Sequence, residues 1–434
     1  MATIDRAALL FTDTVACCLA GTGAEAAKPV IAASGAGTFR VPGLDGGYDR
    51  YASALLAAYC IHCLEWDAVH EPAVVHALSV VSGALIAEAQ CGEPIPGRNF
   101  LDSLIIGVDI AAALGLATKS GLRFFRPATA GVMGAVAALC RLRCLDHETT
   151  ADALGLALAQ ASGTMQAHVE GAPALAFQVG AAARAALSAA DFAQAGLKGA
   201  HDVFGGPFGY FTLIEDGGDI TDITGRFGRI FAIDEVSIKP YPSGRASHAV
   251  LSTVLAAQEA GQIGPGDVTE IRARVPPLVQ RLVGRPPQRQ MGAAYARLCL
   301  PFLVATALID GRVDPRRADS ADSGVDQIVH DLANRVIVET DENPDPNALF
   351  PQHLTITKSD GRVLDYQVPA TLGAPDNPLP RADHEAKIAF AASLAAMPLT
   401  GENFGHFRRF MADFANQGDA MAFLSTISSE GVGA

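Results

Sequence analysis

Between His62 and His76 the chain sets three histidines, three carboxylates (Glu65, Asp67 and Glu71) and its only tryptophan, Trp66, within fifteen residues. Burial and neighbouring charges tune imidazoles and carboxylates to titrate near neutrality, so this density points to general acid–base chemistry. If helical spacing persists, His62, Glu65 and Trp66 share one face. The spacing HxxExxxxH is not the HExxH arrangement that sets two imidazoles and a base on one helix face, so no metal centre is expected. A helix end with solvated charges is the plainer reading of the same residues.

A second cluster runs Lys239-Pro240-Tyr241-Pro242-Ser243-Gly244-Arg245-Ala246-Ser247-His248. Its two prolines fix an extended turn, and Ser243-Gly244 leads into a helix whose first turns carry Arg245 and His248. Free N–H groups at a helix start, with Lys239 and Arg245 beside them, suit a carboxylate ligand. A third stretch, Gly121 to Thr129, adds Arg123 and Arg126 beside Phe124 and Phe125. His168 falls at a helix-to-loop boundary, where a satisfied structural histidine is expected. The glycines of Gly205-Gly206-Pro207-Phe208-Gly209 lack a preceding strand and a following Lys-Ser/Thr, so they are not a phosphate loop.

The elements that must position these residues differ along the chain. Up to about residue 230 the sequence is rich in Ala, Leu and Gly, with helix-length apolar segments at Tyr51–Trp66, Val75–Gln90, Phe100–Lys119, Ala128–Leu145, Thr150–Ser162 and Ala172–Ala195. Several are apolar around most of their circumference, as helices buried among helices require. From residue 233 the texture changes. Asp234–Lys239, Val268–Val275 and Arg335–Glu339 read as strands, His353–Thr357 and Val363–Val368 as a hairpin, and Arg245–Ala260 as an intervening helix. Beyond the Pro-rich 375–380 stretch, helices are expected at Arg381–Met397 and Asn403–Ile427. The fold class is therefore mainly α with an α+β part. A large helical bundle, residues 1–232 and 386–434, is expected to carry an inserted α+β lid, residues 233–385.

The 434 residues carry 32 Lys+Arg against 46 Asp+Glu, a net charge of −14, and no basic stripe. Such a field repels phosphate backbones, so nucleic acid is not an expected partner. No run approaches the roughly 20 uninterrupted apolar residues of a membrane span. Asp5, Arg6 and Asp13 interrupt the apolar opening segment, which reads as an amphipathic helix rather than a leader. The eight cysteines sit mostly among Ala, Leu and Ile, as small hydrophobes in a reducing cytoplasm would. Cys60 and Cys63 have CxxC spacing but no second ligand pair.

Taken together, these stretches resemble the MmgE/PrpD family of polycarboxylate dehydratases, decarboxylases and epimerases. His62 to His76 is similar to the family's H-A-L-D-F-D-D-T-H followed by H-P-S. Pro127 to Leu145 is similar to its H-P-T-A-T-x-G-x-x-G segment, and Asp202-Val203-Phe204, Lys239-Pro240-Tyr241-Pro242 and Leu300-Pro301-Phe302 follow in family order. The resemblance implies a helical domain with an α+β lid, a likeness to homodimers, a small polycarboxylate substrate and no cofactor.

It further implies His76 as general base or acid, with Glu65 and Asp67 setting its orientation, and Lys239 and Tyr241 as further catalytic groups. Arg126, Arg245, His248, His70 and Gln178 would contact substrate. The chain departs from the family pattern at Glu65, Val69, Arg126, Leu175, Gly244 and Phe302. These losses of acid–base groups set three readings side by side. The first is a cofactor-independent dehydratase or decarboxylase acting on a di- or tricarboxylate. The second is an epimerase of an amino- or imino-dicarboxylate such as iminodisuccinate, and the third a non-catalytic carboxylate-binding member.

Overall fold

A computed structural model describes residues 2–427. The first half is built from Thr3–Thr22, Arg50–His62, Ala77–Glu88, Gly97–Leu116, Arg126–Leu142, His147–Leu158 and Ala174–Gln194. Each boundary falls within four residues of the expected one where the sequence defined a helix. Ala77–Glu88 is buried at all twelve positions, which explains why its sequence carries no polar face. Gly97–Leu116 and Arg126–Leu142 cross closely where glycines meet. A Cβ on Gly134 would lie 2.3 Å from the Gly107 carbonyl oxygen, so only glycine permits this approach. Gly97–Leu116 has the length and hydropathy of a membrane span, yet 67% of its apolar stretch is buried in the protein.

The later segment contains a four-stranded mixed sheet. Its order is Val336–Thr340, Val268–Val275, Gln352–Lys358, Val363–Val368; the first pair is parallel and the others antiparallel. Leu354 and Ile356 face the core and pair with Tyr366 and Leu364, as the alternating pattern required. The helix His248–Glu259, entered through a 3-10 turn at Arg245–Ser247, packs against this sheet.

One expected strand is absent. Ala232–Glu235 forms a 3-10 turn, and the extended residues after it stay outside the sheet. Ser237 exchanges backbone hydrogen bonds with Val69 at 2.8 and 3.0 Å instead, and Ile238 N–H donates to Gly373. Val236 to Lys239 are all buried, so the segment is covered on both faces and its alternation marks no solvent side. This bridge ties the second sequence cluster to the first.

Arg381–Ser393 lies against Thr3–Thr22. There the fully buried Asp13 accepts from Lys387 Nζ at 2.7 and 2.9 Å and pairs with His384 Nε2 at 2.9 Å. Lys387 also donates to the Trp66 carbonyl at 3.1 Å, so the C-terminal helix grips the loop that carries the acid–base cluster. Beyond it come Gly401–Ala412 and a short Phe423–Thr426 turn, in place of one long helix. The end of the expected helical domain, residues 428–434, lies outside the described residues.

Candidate active site

Arg50–His62 ends just before the acid–base cluster, and Glu65 follows with φ +54°, a left-handed conformation that costs a non-glycine residue about 1–3 kcal/mol. This turn aims the next side chains back beneath the helix end. Asp67 is fully buried and acts as a hub. Its Oδ2 accepts from His62 Nδ1 at 2.9 Å, His76 Nδ1 at 3.0 Å and the Ser79 hydroxyl. His76 sits immediately before Ala77–Glu88, so the start of one helix and the end of another bring the two imidazoles to 4.9 Å between ring centres.

Lys239 arrives from the other cluster and is itself fully buried. Its Nζ donates to the Glu65 carbonyl at 2.9 Å and to Glu65 Oε2 at 3.3 Å, and lies 3.9 Å from Asp67 Oδ1. Burial works against ionising Asp67 and Glu65, but the adjacent imidazoles, joined at Glu65 by Lys239, hold both carboxyls below their ordinary range. The two histidines are driven apart. Burial opposes charge on His62, yet Asp67 and Glu65 raise its pKa; burial, with Lys239 and His62 nearby, lowers that of His76. Two groups titrating in opposite directions around one carboxylate form an acid–base pair. With Nδ1–H committed to Asp67, neutral His76 keeps its lone pair on Nε2, and Nε2 of His62 makes no hydrogen bond, its neighbouring carboxylate oxygen, Glu65 Oε1, lying 3.5 Å away.

His62, Asp67 and His76 could also be read as a metal site, since their donor atoms lie within 4.8 Å of one another. However, both Nδ1 atoms already donate to Asp67, and the Lys239 ammonium would oppose a second cation at the same carboxylate. The donor set fits proton chemistry better.

These groups border a cavity of about 80 Å³. His62, Glu65, Glu71, His76, His168 and Arg245 supply its polar wall. Arg245 is held by Glu71, with Nε at 2.8 Å and Nη2 at 2.7 Å, and by the carbonyls of Leu372 and Thr371. The second Glu71 oxygen has no partner, nor does His168 Nε2, whose ring burial and Arg285 hold at a pKa of about 4.

Of the ten residues singled out in the sequence, His76, Glu65 and Arg245 line this cavity, and Asp67 and Lys239 stand directly behind them. The other five lie elsewhere. Arg126 is fully buried, with bidentate bonds to Glu215 at 2.9 and 3.0 Å and further bonds to the Ala73 and Ser120 carbonyls. Its guanidinium is taken up by Glu215 and does not line the cavity. His70 locks its own turn, accepting from Ala73 N–H and pairing with Glu235. His248 is fully buried behind the wall, where burial and then Arg245 and Lys239 keep it neutral; Nε2 donates to Ser243 O. The Tyr241 ring packs against it, tilted by 57°, at 5.2 Å between ring centres. Gln178 accepts from Thr164 N–H and does not reach the cavity.

Three wall residues were not among the ten. The His62–Glu65 spacing, one helical turn, was a signal for His62, Glu71 stood in the same dense cluster, and His168 was expected as a satisfied structural histidine; only the tertiary fold brings Glu71 to Arg245 and His168 to the cavity.

A helical bundle with an appended mixed sheet, and a buried histidine–aspartate pair backed by lysine at the cavity, defines a class of acid–base protein. Comparison places it more closely. The MmgE/PrpD N-terminal domain matches residues 1–222 and the MmgE/PrpD C-terminal domain residues 241–396, so the chain belongs to the MmgE/PrpD family. It is 24% identical to the "Cis-aconitate decarboxylase-like protein oryM" of Aspergillus oryzae, covering 98% of this chain and 93% of that protein. It is 22% identical to "Cis-aconitate decarboxylase" of Aspergillus terreus, over 87% of this chain and 82% of that protein.

Proposed function

We propose that the protein is a lyase, a dehydratase or decarboxylase, acting on a small di- or tricarboxylate by moving a proton at a carbon next to a carboxylate. The observation that carries this reading is the single carboxylate of Asp67 shared by two imidazoles of opposite pKa displacement at a cavity edge. In dehydration His76 Nε2 takes the proton and His62 Nε2 gives one to the departing hydroxyl; in decarboxylation the carbanion left by carbon dioxide takes its proton from His62 Nε2. His62, held protonated by Asp67 and Glu65, faces the developing enolate charge together with Arg245. Lys239 fixes Glu65 from behind. The names of the relatives support the decarboxylase branch.

The test is a proton NMR time course in deuterated water with citrate, the aconitates, iminodisuccinate and alkyl-substituted succinates. Exchange next to a carboxylate, with water or carbon dioxide lost, is expected, and His76→Gln should abolish it. Two imidazoles on one hub also favour stereoinversion as the second reading; deuterium incorporation without loss of mass would select it. Turnover that survives in His76→Gln would overturn the acid–base assignment.

A further inference from the structure

The wall of the cavity defines the substrate more narrowly than the acid–base groups do. Thirteen of its nineteen lining residues are apolar or glycine, among them Leu122, Phe125, Leu175, Val283 and Leu298, with the Phe125 ring 5.8 Å from that of His62. All five are buried. The charged lining is balanced. Two cations face the cavity, His62 and Arg245, and each already faces a carboxylate, Glu65 at 3.5 Å and Glu71 at 2.7 Å. Lys239 is fully buried behind Glu65 and does not line the cavity. The unpartnered Glu71 oxygen adds acceptor character where a further anion would have to sit.

Resting on the proton-transfer reading above, we infer that the site takes a dicarboxylate bearing an apolar substituent, not a tricarboxylate. Two carboxylates find Arg245 and His62, with the neutral His168 completing the hydrogen bonds. The substituent lies among these leucine and phenylalanine side chains. A third carboxylate in its place would be desolvated among apolar side chains with no third cation in the cavity wall; Arg297, in the adjoining pocket beyond Leu175 and Leu298, is already paired with Asp319 at 2.6 Å. Discrimination of this kind is steep against the charged analogue and shallow between neighbouring alkyl lengths, because a buried methylene contributes little compared with an unpaired charge.

The experiment compares 2-propylsuccinate with cis-aconitate and citrate, which are of similar size, on the intact wild-type protein. Binding is read by thermal shift and chemistry by solvent deuterium exchange. The expected result is binding of 2-propylsuccinate roughly tenfold or more tighter than of either tricarboxylate. Leu175→Lys should narrow or reverse that ratio; Leu122→Gln, which adds polarity without charge, should weaken 2-propylsuccinate alone. Equal or tighter binding of the tricarboxylates to wild type would overturn the inference while leaving the proton-transfer reading intact. Tight binding of 2-propylsuccinate with no exchange would uphold the pocket and sink the proton transfer. Failure of all three acids to bind would overturn the substrate class.

Discussion

Replacing Asp67 by asparagine changes one atom of the hub and separates the roles assigned to it. The carboxylate accepts two imidazole Nδ1–H bonds at 2.9 and 3.0 Å through Oδ2 alone, so an asparagine carbonyl in that place can keep both while removing the negative charge. Its NH2 group takes the place of Oδ1 beside the Lys239 ammonium, and the lost charge is the one that raises the His62 pKa, so the acid of the pair is removed. Each charge-assisted bond is worth about 1.5–3 kcal/mol, and a lost general acid or base lowers rate on the order of 10²–10⁴-fold. Solvent deuterium exchange by Asp67→Asn should fall within that range.

Stability should fall as well, because protonated His62 loses its buried counter-charge, at about 3–5 kcal/mol. The pH dependence has a definite sign. His62 has a raised folded pKa, so its contribution is fully present below about 6.5 and is lost as pH rises through the folded value. Asp67 has a depressed one, so its contribution is present above about 3.9 and is lost as pH falls through the folded value. The gap between wild type and variant in urea unfolding is therefore largest from about pH 4 to 6.5 and narrows on the alkaline side. Exchange within about threefold of wild type, or a gap that widens with pH, would refute the hub.

Glu215→Gln leaves the Arg126 guanidinium charged and unpaired in a fully buried place, so urea unfolding should show a loss of about 3–5 kcal/mol with substrate affinity unchanged. Tighter carboxylate binding without loss of stability would instead return Arg126 to the substrate. His168, held near pKa 4 against about 6.5 when unfolded, penalises folding as pH falls between those values, by up to roughly 3 kcal/mol. His168→Asn should flatten that part of the stability profile, measured by urea titration from pH 4 to 7; a parallel profile would show that the ring is not buried neutral.

Much of the helical half was legible because burial on all sides leaves a compositional mark: Ala77–Glu88 has no polar face to misread. The hairpin was legible from its alternation and its Lys358–Arg362 turn. Asp234–Lys239 was misread for a related reason. Alternation encodes one buried and one exposed face, whereas Val236 to Lys239 are buried on both, with Ser237 bridged to Val69 and Ile238 bonded to Gly373 outside the sheet. At the site, the types were visible but their partners were not. Arg126 and Arg245 are both guanidiniums next to a helix start, and nothing local says that one meets Glu215 and the other a cavity. Their carboxylate partners, Glu215 and Glu71, come from 89 and 174 residues away.

The loop from Glu65 to His76 is gripped by charge from two directions. Lys239 holds the Glu65 carbonyl and carboxylate, while Lys387, anchored on Asp13, holds the Trp66 carbonyl one residue on. Ion pairs buried this deeply add little stability over apolar side chains of the same volume, because desolvation cancels most of their attraction. Their effect here is geometric. Glu65 is kept in a left-handed conformation that an untethered chain would relax, and Asp67 follows two residues later with no freedom to turn away from His62 and His76. A cavity wall that is mostly hydrocarbon then isolates the pair from water, so the field set by these few fixed charges is felt at full strength by whatever carboxylate lies against His76.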